Sequence, residues 1–86
     1  MKADLRERCR QFVQRTPPAD LGYVGDSVAE RVLRGYAAGI APDDEVLELL
    51  EIVVADSRET ATASGAAAAD YLLSSAALLE EIAGEA

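Results

Sequence analysis

Apolar residues recur at helical intervals along most of the chain. In the first segment, four of them share one narrow stripe of about 100°: Leu5, Cys9, Phe12 and Val13. Pro17 follows, and the residue before a proline avoids the α region. The spacing predicts a first helix over residues 4–16, with Asp4 and Glu7 as a capping-box variant at its start.

The stretch LGYVGDSVAERV leads into a second helix. Ser27 and Glu30 have capping-box spacing, and the apolar residues that follow fall on one helical stripe: Val28, Val32, Leu33 and Tyr36. Because earlier apolar residues continue that stripe, the helix is predicted to begin at residue 20 or 27 and to end at 38. Gly39 then provides a C′ glycine, with Ile40 placed for the hydrophobic contact of a Schellman ending.

A third helix is predicted over residues 42–63. Pro42 suits the first helical position, and the acidic residues after it complement the positive end of the helix dipole. The apolar residues of this segment cover a wide arc of about 220°: Val46, Leu47, Leu49, Leu50, Ile52, Val53 and Val54.

A fourth helix is predicted over residues 66–83, with Gly84 marking its end. Six residues form its main face: Ala68, Tyr71, Leu72, Ser75, Leu79 and Ile82. Ser64 and Gly65 favour a turn before it over one continuous helix spanning residues 42–83.

The fold class that follows is all-α: one domain over residues 1–86, built as a small bundle of three to four helices. Seventeen alanines agree with it, since alanine is the best helix former. The wide apolar arc of the third helix exceeds what a bundle of this size covers. We therefore expect self-association or a partner chain to complete it, with Leu47 and Val54 as the candidate contacts beyond the core.

Charge divides the chain into two halves. Residues 1–42 carry seven basic and five acidic groups, whereas residues 43–86 carry eleven acidic groups and one basic group, Arg58. The acidic half repels nucleic acid and anionic membrane surfaces and suits a basic protein partner. The predicted partner-binding residues lie there: Asp44, Leu47, Glu48, Glu51 and Val54.

The residues for common catalytic and metal sites are missing. Gly25-Asp26-Ser27 is similar to the nucleophile block of some serine esterases, but the chain has no histidine to act as the base. We therefore interpret Ser27 as a helix cap. One cysteine, Cys9, and no histidine cannot supply a zinc site, and the single lysine, Lys2, is not in a P-loop. The sequence predicts no enzyme, no cofactor and no bound metal.

The predicted function is that of a non-enzymatic helical interaction protein: an adaptor, an inhibitor, an immunity or antitoxin-like factor, or a small accessory subunit. The alternative is a small nucleic-acid-binding regulator whose first helix contacts phosphates through five basic residues: Lys2, Arg6, Arg8, Arg10 and Arg15. These arginines would otherwise pair with acidic helices of the same domain or of a second copy. No secretory signal and no membrane span is recognisable, and a single cysteine fits the cytoplasm. Seven arginines against one lysine, with many alanines, favour a GC-rich bacterial or phage genome.

Overall fold

The computed structural model describes residues 2–18 and 28–85, with side chains from Asp4 onward. This part of the chain forms four helices and no strand, which confirms the predicted small all-α bundle. The helices are α1 (Lys2–Val13), α2 (Val28–Ala37), α3 (Asp44–Thr62) and α4 (Ala66–Glu85).

The fourth helix is the centre of the bundle. It packs against each of the other three, most extensively against α3, and it contributes seven buried residues. The first helix lies against α2 and α4, and α2 meets α3 over a small area only. The core stripes of α1 and α2 and the main face of α4 are buried or half-buried as predicted. The largest fully buried side chains are Leu5, Cys9, Leu33, Leu50, Leu79 and Ile82.

The ends of α1 differ from the prediction. The helix begins two residues before residue 4, so Asp4 lies inside the first turn and is not its cap. It ends at Val13 and not at residue 16, because the backbone tightens ahead of Pro17. The amides of Gln14 and Arg15 donate to carbonyls three residues back, at 3.3 and 3.0 Å, which is the 3₁₀ pattern common at helix ends.

The end of α2 has the predicted Schellman hydrogen bonds. The Ile40 amide donates to the Gly35 carbonyl at 2.8 Å, the Gly39 amide donates to Tyr36 at 3.0 Å, and Gly39 has φ of 94°. The predicted hydrophobic contact of Ile40 is wrong. Its partner position in the motif is Gly35, which has no side chain, and Ile40 is 66% exposed. Ser27 and the Gly25-Asp26-Ser27 block lie outside the described residues.

The third helix begins at Asp44, two residues after the predicted start at Pro42. Asp43 is the N-cap, and its carboxylate accepts a hydrogen bond from the Val46 amide at 2.9 Å. Pro42 therefore precedes the cap and is not the first helical residue. An aspartate in extended conformation satisfies an otherwise unpaired amide of the first turn, and this decides where the helix starts.

The predicted turn between α3 and α4 is confirmed, with Ala63, Ser64 and Gly65 outside both helices. The Ser64 hydroxyl donates to the Thr60 carbonyl at 2.8 Å and so satisfies the end of α3. The predicted end of α4 at Gly84 is wrong, because the helix continues through Gly84 to Glu85. A glycine near a helix end costs about 1 kcal/mol at most against alanine and does not by itself terminate the helix.

Replacing each of two glycines by alanine should change stability in opposite directions. Gly84→Ala should raise the free energy of unfolding by about 0.5–1 kcal/mol, since nothing lies within 4 Å of the added methyl group. Gly39→Ala should lower it by about 1 kcal/mol or more, because its positive φ strains an L-residue. Urea denaturation followed by circular dichroism measures both. A stabilising Gly39→Ala would contradict the assigned C′ geometry.

Candidate protein-interaction surface

The wide apolar arc of α3 is only partly used by the core. Leu50, Val54 and Ala61 are the buried residues of the helix. Val46, Leu47 and Val53 are half-buried and pack against the core cluster. A single helix packed mainly on α4 buries one side, so the rest of the arc is left to solvent.

The choice of Leu47 and Val54 as surface beyond the core is wrong for Val54. That side chain is 7% exposed and belongs to the core cluster. Leu47 lies on the same flank of the helix and is packed against that cluster. The apolar members of the predicted partner-binding set, Leu47 and Val54, therefore pack against the bundle, whereas its acidic members are exposed.

The apolar side chains left exposed lie on the other flank of α3. Leu49 is 45% exposed and Ile52 is 67% exposed, and a spacing of three residues places them side by side on the helix surface. We call these two residues the apolar pair of α3. Beyond the end of α2, Ile40 extends the same apolar region. The remaining large exposed apolar side chain in the described chain is Leu73 of α4, at 48%.

Carboxylates surround the apolar pair. At about 100° per residue, Glu45 and Asp56 lie within about 40° of both Leu49 and Ile52. No acidic side chain of α3 forms an ion pair with a described residue, and all of them are exposed: Asp44, Glu45, Glu48, Glu51, Asp56 and Glu59. The predicted acidic residues Asp44, Glu48 and Glu51 are among them, although they point further from the apolar pair than Glu45 and Asp56 do.

A groove of about 300 Å³ lies between α2 and α3, next to the apolar pair. It exists because these two helices meet over a small area only. We call it the α2–α3 groove. Ten described residues line it: Val28, Arg31, Val32, Gly35, Ile40, Ala41, Pro42, Asp43, Val46 and Leu49.

The basic residues of α1 lie mostly in ion pairs within the domain. Arg8 donates to Glu81 of α4, at 2.9 Å for one of its two hydrogen bonds, and this hydrogen bond holds the pKa of Glu81 below its ordinary value. Arg15 pairs with Asp70 of α4 at 3.2 Å, and Arg10 pairs with Glu7. Arg8 and Arg15 therefore neutralise acids of the second half of the same domain, whereas Arg10 pairs within α1. Arg6 has no ion pair with a described residue, and the Lys2 side chain lies outside the described part.

Arg15 also lies against aromatic rings, which fixes its guanidinium on the surface of the bundle. Its Cζ is 5.2 Å from the ring centroid of Phe12 and 5.5 Å from that of Tyr71. Distances below about 6 Å give a cation–π attraction. With its carboxylate partner and these rings in place, Arg15 would have to give up existing contacts to bind a phosphate.

Cys9 is a core residue. It is 0% exposed, and burial raises the pKa of its thiol. Across residues 2–18 and 28–85, no three acidic or cysteine side chains are grouped as they would be around a metal ion. In the same ranges, no helix has the length and apolar content needed to cross a membrane.

Comparison with protein-family models, with curated proteins and with solved structures finds no match to this chain. The case for a functional site therefore rests on the residues themselves. Among the described residues, the features that a folded monomer leaves without a partner are the apolar pair, the carboxylates around it and the α2–α3 groove.

Proposed function

We propose that this protein is a non-enzymatic interaction protein that binds a protein partner through the exposed side of α3. The observation that carries the proposal is the apolar pair, Leu49 and Ile52, which is exposed among carboxylates that form no ion pair with a described residue. The proposal covers an adaptor, an inhibitor, an immunity or antitoxin-like factor, or an accessory subunit, acting by occlusion or scaffolding.

The composition of this surface agrees with that of protein interfaces. Interfaces combine a few apolar anchors near the centre with a polar rim. Here Leu49 and Ile52 provide the anchors, and Glu45 and Asp56 provide the rim. Charged groups at a rim contribute mostly to the association rate and to partner choice, so the carboxylates would direct the approach of a partner while the apolar pair holds it.

A binding role is supported over an enzymatic one by the chemistry of the chain. It has no histidine, its cysteine is buried, and the carboxylates of α3 are all exposed to solvent. Carboxylates open to solvent lack the enclosed pocket in which an enzyme usually positions a substrate for general acid–base chemistry. A cytoplasmic setting, as favoured by the single cysteine, is part of the proposal.

Nucleic-acid binding through α1 receives less support. Three of the five basic residues named for it, Arg8, Arg10 and Arg15, already pair with carboxylates of this domain. Phosphate contacts by these arginines would compete with those pairs, and the neighbouring acids would repel the phosphates.

The double variant Leu49→Glu/Ile52→Glu should lose the partner while remaining folded. Both side chains are exposed, so the substitutions cost the fold little, whereas two charges in the centre of an interface are strongly unfavourable. The measurement is retention of proteins from a lysate of the source organism on the immobilised wild type and on the variant. We expect one or more retained proteins to be lost, with at least a tenfold weaker affinity once the partner is purified.

The matched control is Leu73→Glu, which changes an apolar side chain of similar exposure on α4. It should retain the same proteins as the wild type. If the double variant retains everything that the wild type retains, the exposed side of α3 is not the binding surface and the proposed function is wrong.

A further inference from the structure

The α2–α3 groove has an apolar lining, with a basic residue on its α2 side and acidic residues of α3 beside it. Val32, Val46 and Leu49 are apolar residues of its lining, and Gly35 leaves room above the α2 backbone. The acidic residue of the lining is Asp43, whose carboxylate caps α3. Glu45 and Asp56 do not line the groove but lie on α3 within about 40° of Leu49, exposed and without an ion pair to a described residue. On the α2 side, Arg31 lines the groove and is exposed, again without an ion pair in the described chain.

The backbone around the groove restricts the occupant. The walls are helices whose main-chain hydrogen bonds are made internally, so they offer no strand edge for an extended peptide to pair with. An occupant must therefore satisfy its own backbone groups where it leaves water. A helix does so, and laying an amphipathic helix into an apolar groove between helices is a common recognition mode.

The charge around the groove selects among helices. The six exposed carboxylates of α3 form no ion pair with a described residue, whereas its single basic residue, Arg58, is already paired with Glu80. A second copy of this chain carries the same six carboxylates and a net charge of −8, so its α3 would meet like charge. A basic helix that lies against Leu49 meets opposite charge at Glu45 and Asp56.

We propose that the α2–α3 groove binds an amphipathic helix of a basic partner protein. Apolar side chains of that helix lie against Leu49 and Val46, and its lysines or arginines face Glu45 and Asp56. Arg31, on the α2 side of the groove, would repel basic residues on the other flank of the bound helix. The unequal charge of the two sides therefore sets which way the bound helix runs along the groove. The inference rests on the proposed function and assigns it a partner chemistry.

Gly35 allows a test that separates binding from folding. A Cβ at this position would lie 3.8 Å from the Ile40 carbonyl oxygen and 3.9 Å from the Ile40 Cβ, both ordinary contacts. Gly35→Leu would fill the groove and would also create the contact between this position and Ile40 that the Schellman ending lacks. We expect a variant at least as stable as the wild type that no longer accepts the helix.

The probe is a synthetic 18-residue helical peptide with leucines on one face, lysines along one flank and glutamines along the other. Its affinity is measured by fluorescence anisotropy at low and high salt. We expect binding that weakens with salt and that is reduced at least tenfold by Gly35→Leu. The matched control Gly84→Leu adds the same side chain to a glycine of α4 with open space around it, and it should bind the peptide as the wild type does.

Two further comparisons test the charge assignment. The peptide with glutamates in place of lysines should bind at least tenfold more weakly. Glu45→Gln/Asp56→Asn should weaken binding of the lysine peptide several-fold, whereas Glu48→Gln/Glu51→Gln, which removes two charges from another side of the same helix, should weaken it less.

Several results would overturn the inference: no binding of the lysine peptide, equal binding of the glutamate peptide, or binding unchanged by Gly35→Leu. Light scattering that shows a dimer dissociated by Gly35→Leu would assign the groove to a second copy and would also overturn it. The proposed function is judged separately. It stands if Leu49→Glu/Ile52→Glu no longer retains a lysate protein that the wild type retains, even if the peptide does not bind. It fails if that variant retains every protein that the wild type retains.

Discussion

Val54→Glu should unfold the protein, whereas Ile52→Glu, two residues earlier on the same helix, should leave it folded. Val54 is 7% exposed within the core cluster, and Ile52 is 67% exposed. Burying an unpaired carboxylate costs several kcal/mol, and small domains are stable by only about 5–15 kcal/mol in total. A surface substitution usually changes stability by less than about 0.5 kcal/mol.

Far-UV circular dichroism and urea denaturation distinguish the two variants. We expect Val54→Glu to have lost most of its helical signal, or to unfold at a much lower urea concentration, and Ile52→Glu to match the wild type. The opposite ranking would mean that α3 is rotated about its axis relative to the structure described, and it would remove the basis for the apolar pair.

The helices themselves could be predicted because their signals are local. The stripe of Leu5, Cys9 and Phe12 in α1 and the glycine ending of α2 depend on residues within a few positions of one another. The turn at Ser64 and Gly65 is of the same kind. The helix ends were less predictable, because neighbouring residues can each serve as the cap or as the first residue of a helix. Asp43 is the N-cap of α3, so Pro42 lies before the helix. The fourth helix remains helical through Gly84.

The rotation of α3 could not be predicted, and it decides the candidate site. An apolar arc of about 220° gives the same sequence signal on both flanks, so Leu47 and Leu49 are equivalent until a neighbour is placed. The structure places α4 on the side of Leu47 and Val54 and leaves Leu49 to solvent. The rotation of α3 is set by contacts between helices that are far apart in sequence. The apolar periodicity of one helix carries no information about those contacts.

The charge pattern follows from the same arrangement. Because α4 lies between α1 and α3, its acids pair with arginines on both sides: Arg8 of α1 and Arg15 just after α1 on one side, and Arg58 of α3 on the other. The carboxylates of α3 form no ion pair with these arginines, although Glu51 lines the same pocket as Arg58. Six carboxylates without an ion pair to a described residue therefore lie on the exposed side of α3, which also carries the apolar pair.

Cys9 should be almost unreactive toward a water-soluble thiol reagent in the folded protein. Its side chain is 0% exposed, so modification requires the domain to open. A domain that is stable by about 5 kcal/mol is open for less than about a thousandth of the time. We expect modification by an aromatic disulfide reagent at least a thousandfold slower than in the chain unfolded in urea. Ile52→Glu should react as slowly as the wild type, and Val54→Glu should approach the rate of the unfolded chain.

The pH profile of this reaction identifies the state that reacts. Burial raises the pKa of Cys9 in the folded protein, whereas an unfolded chain ionises its thiol with an ordinary pKa of about 8.5. If modification occurs after opening, the rate should rise with pH as the thiol of the open chain ionises, and it should continue to rise above the ordinary pKa. The opening equilibrium contributes a further increase at higher pH, because a thiol whose folded pKa is raised loses its stabilising contribution as pH rises through that range. A fast reaction at neutral pH in the wild type would show that Cys9 is accessible and would contradict its place in the core between α1 and α4.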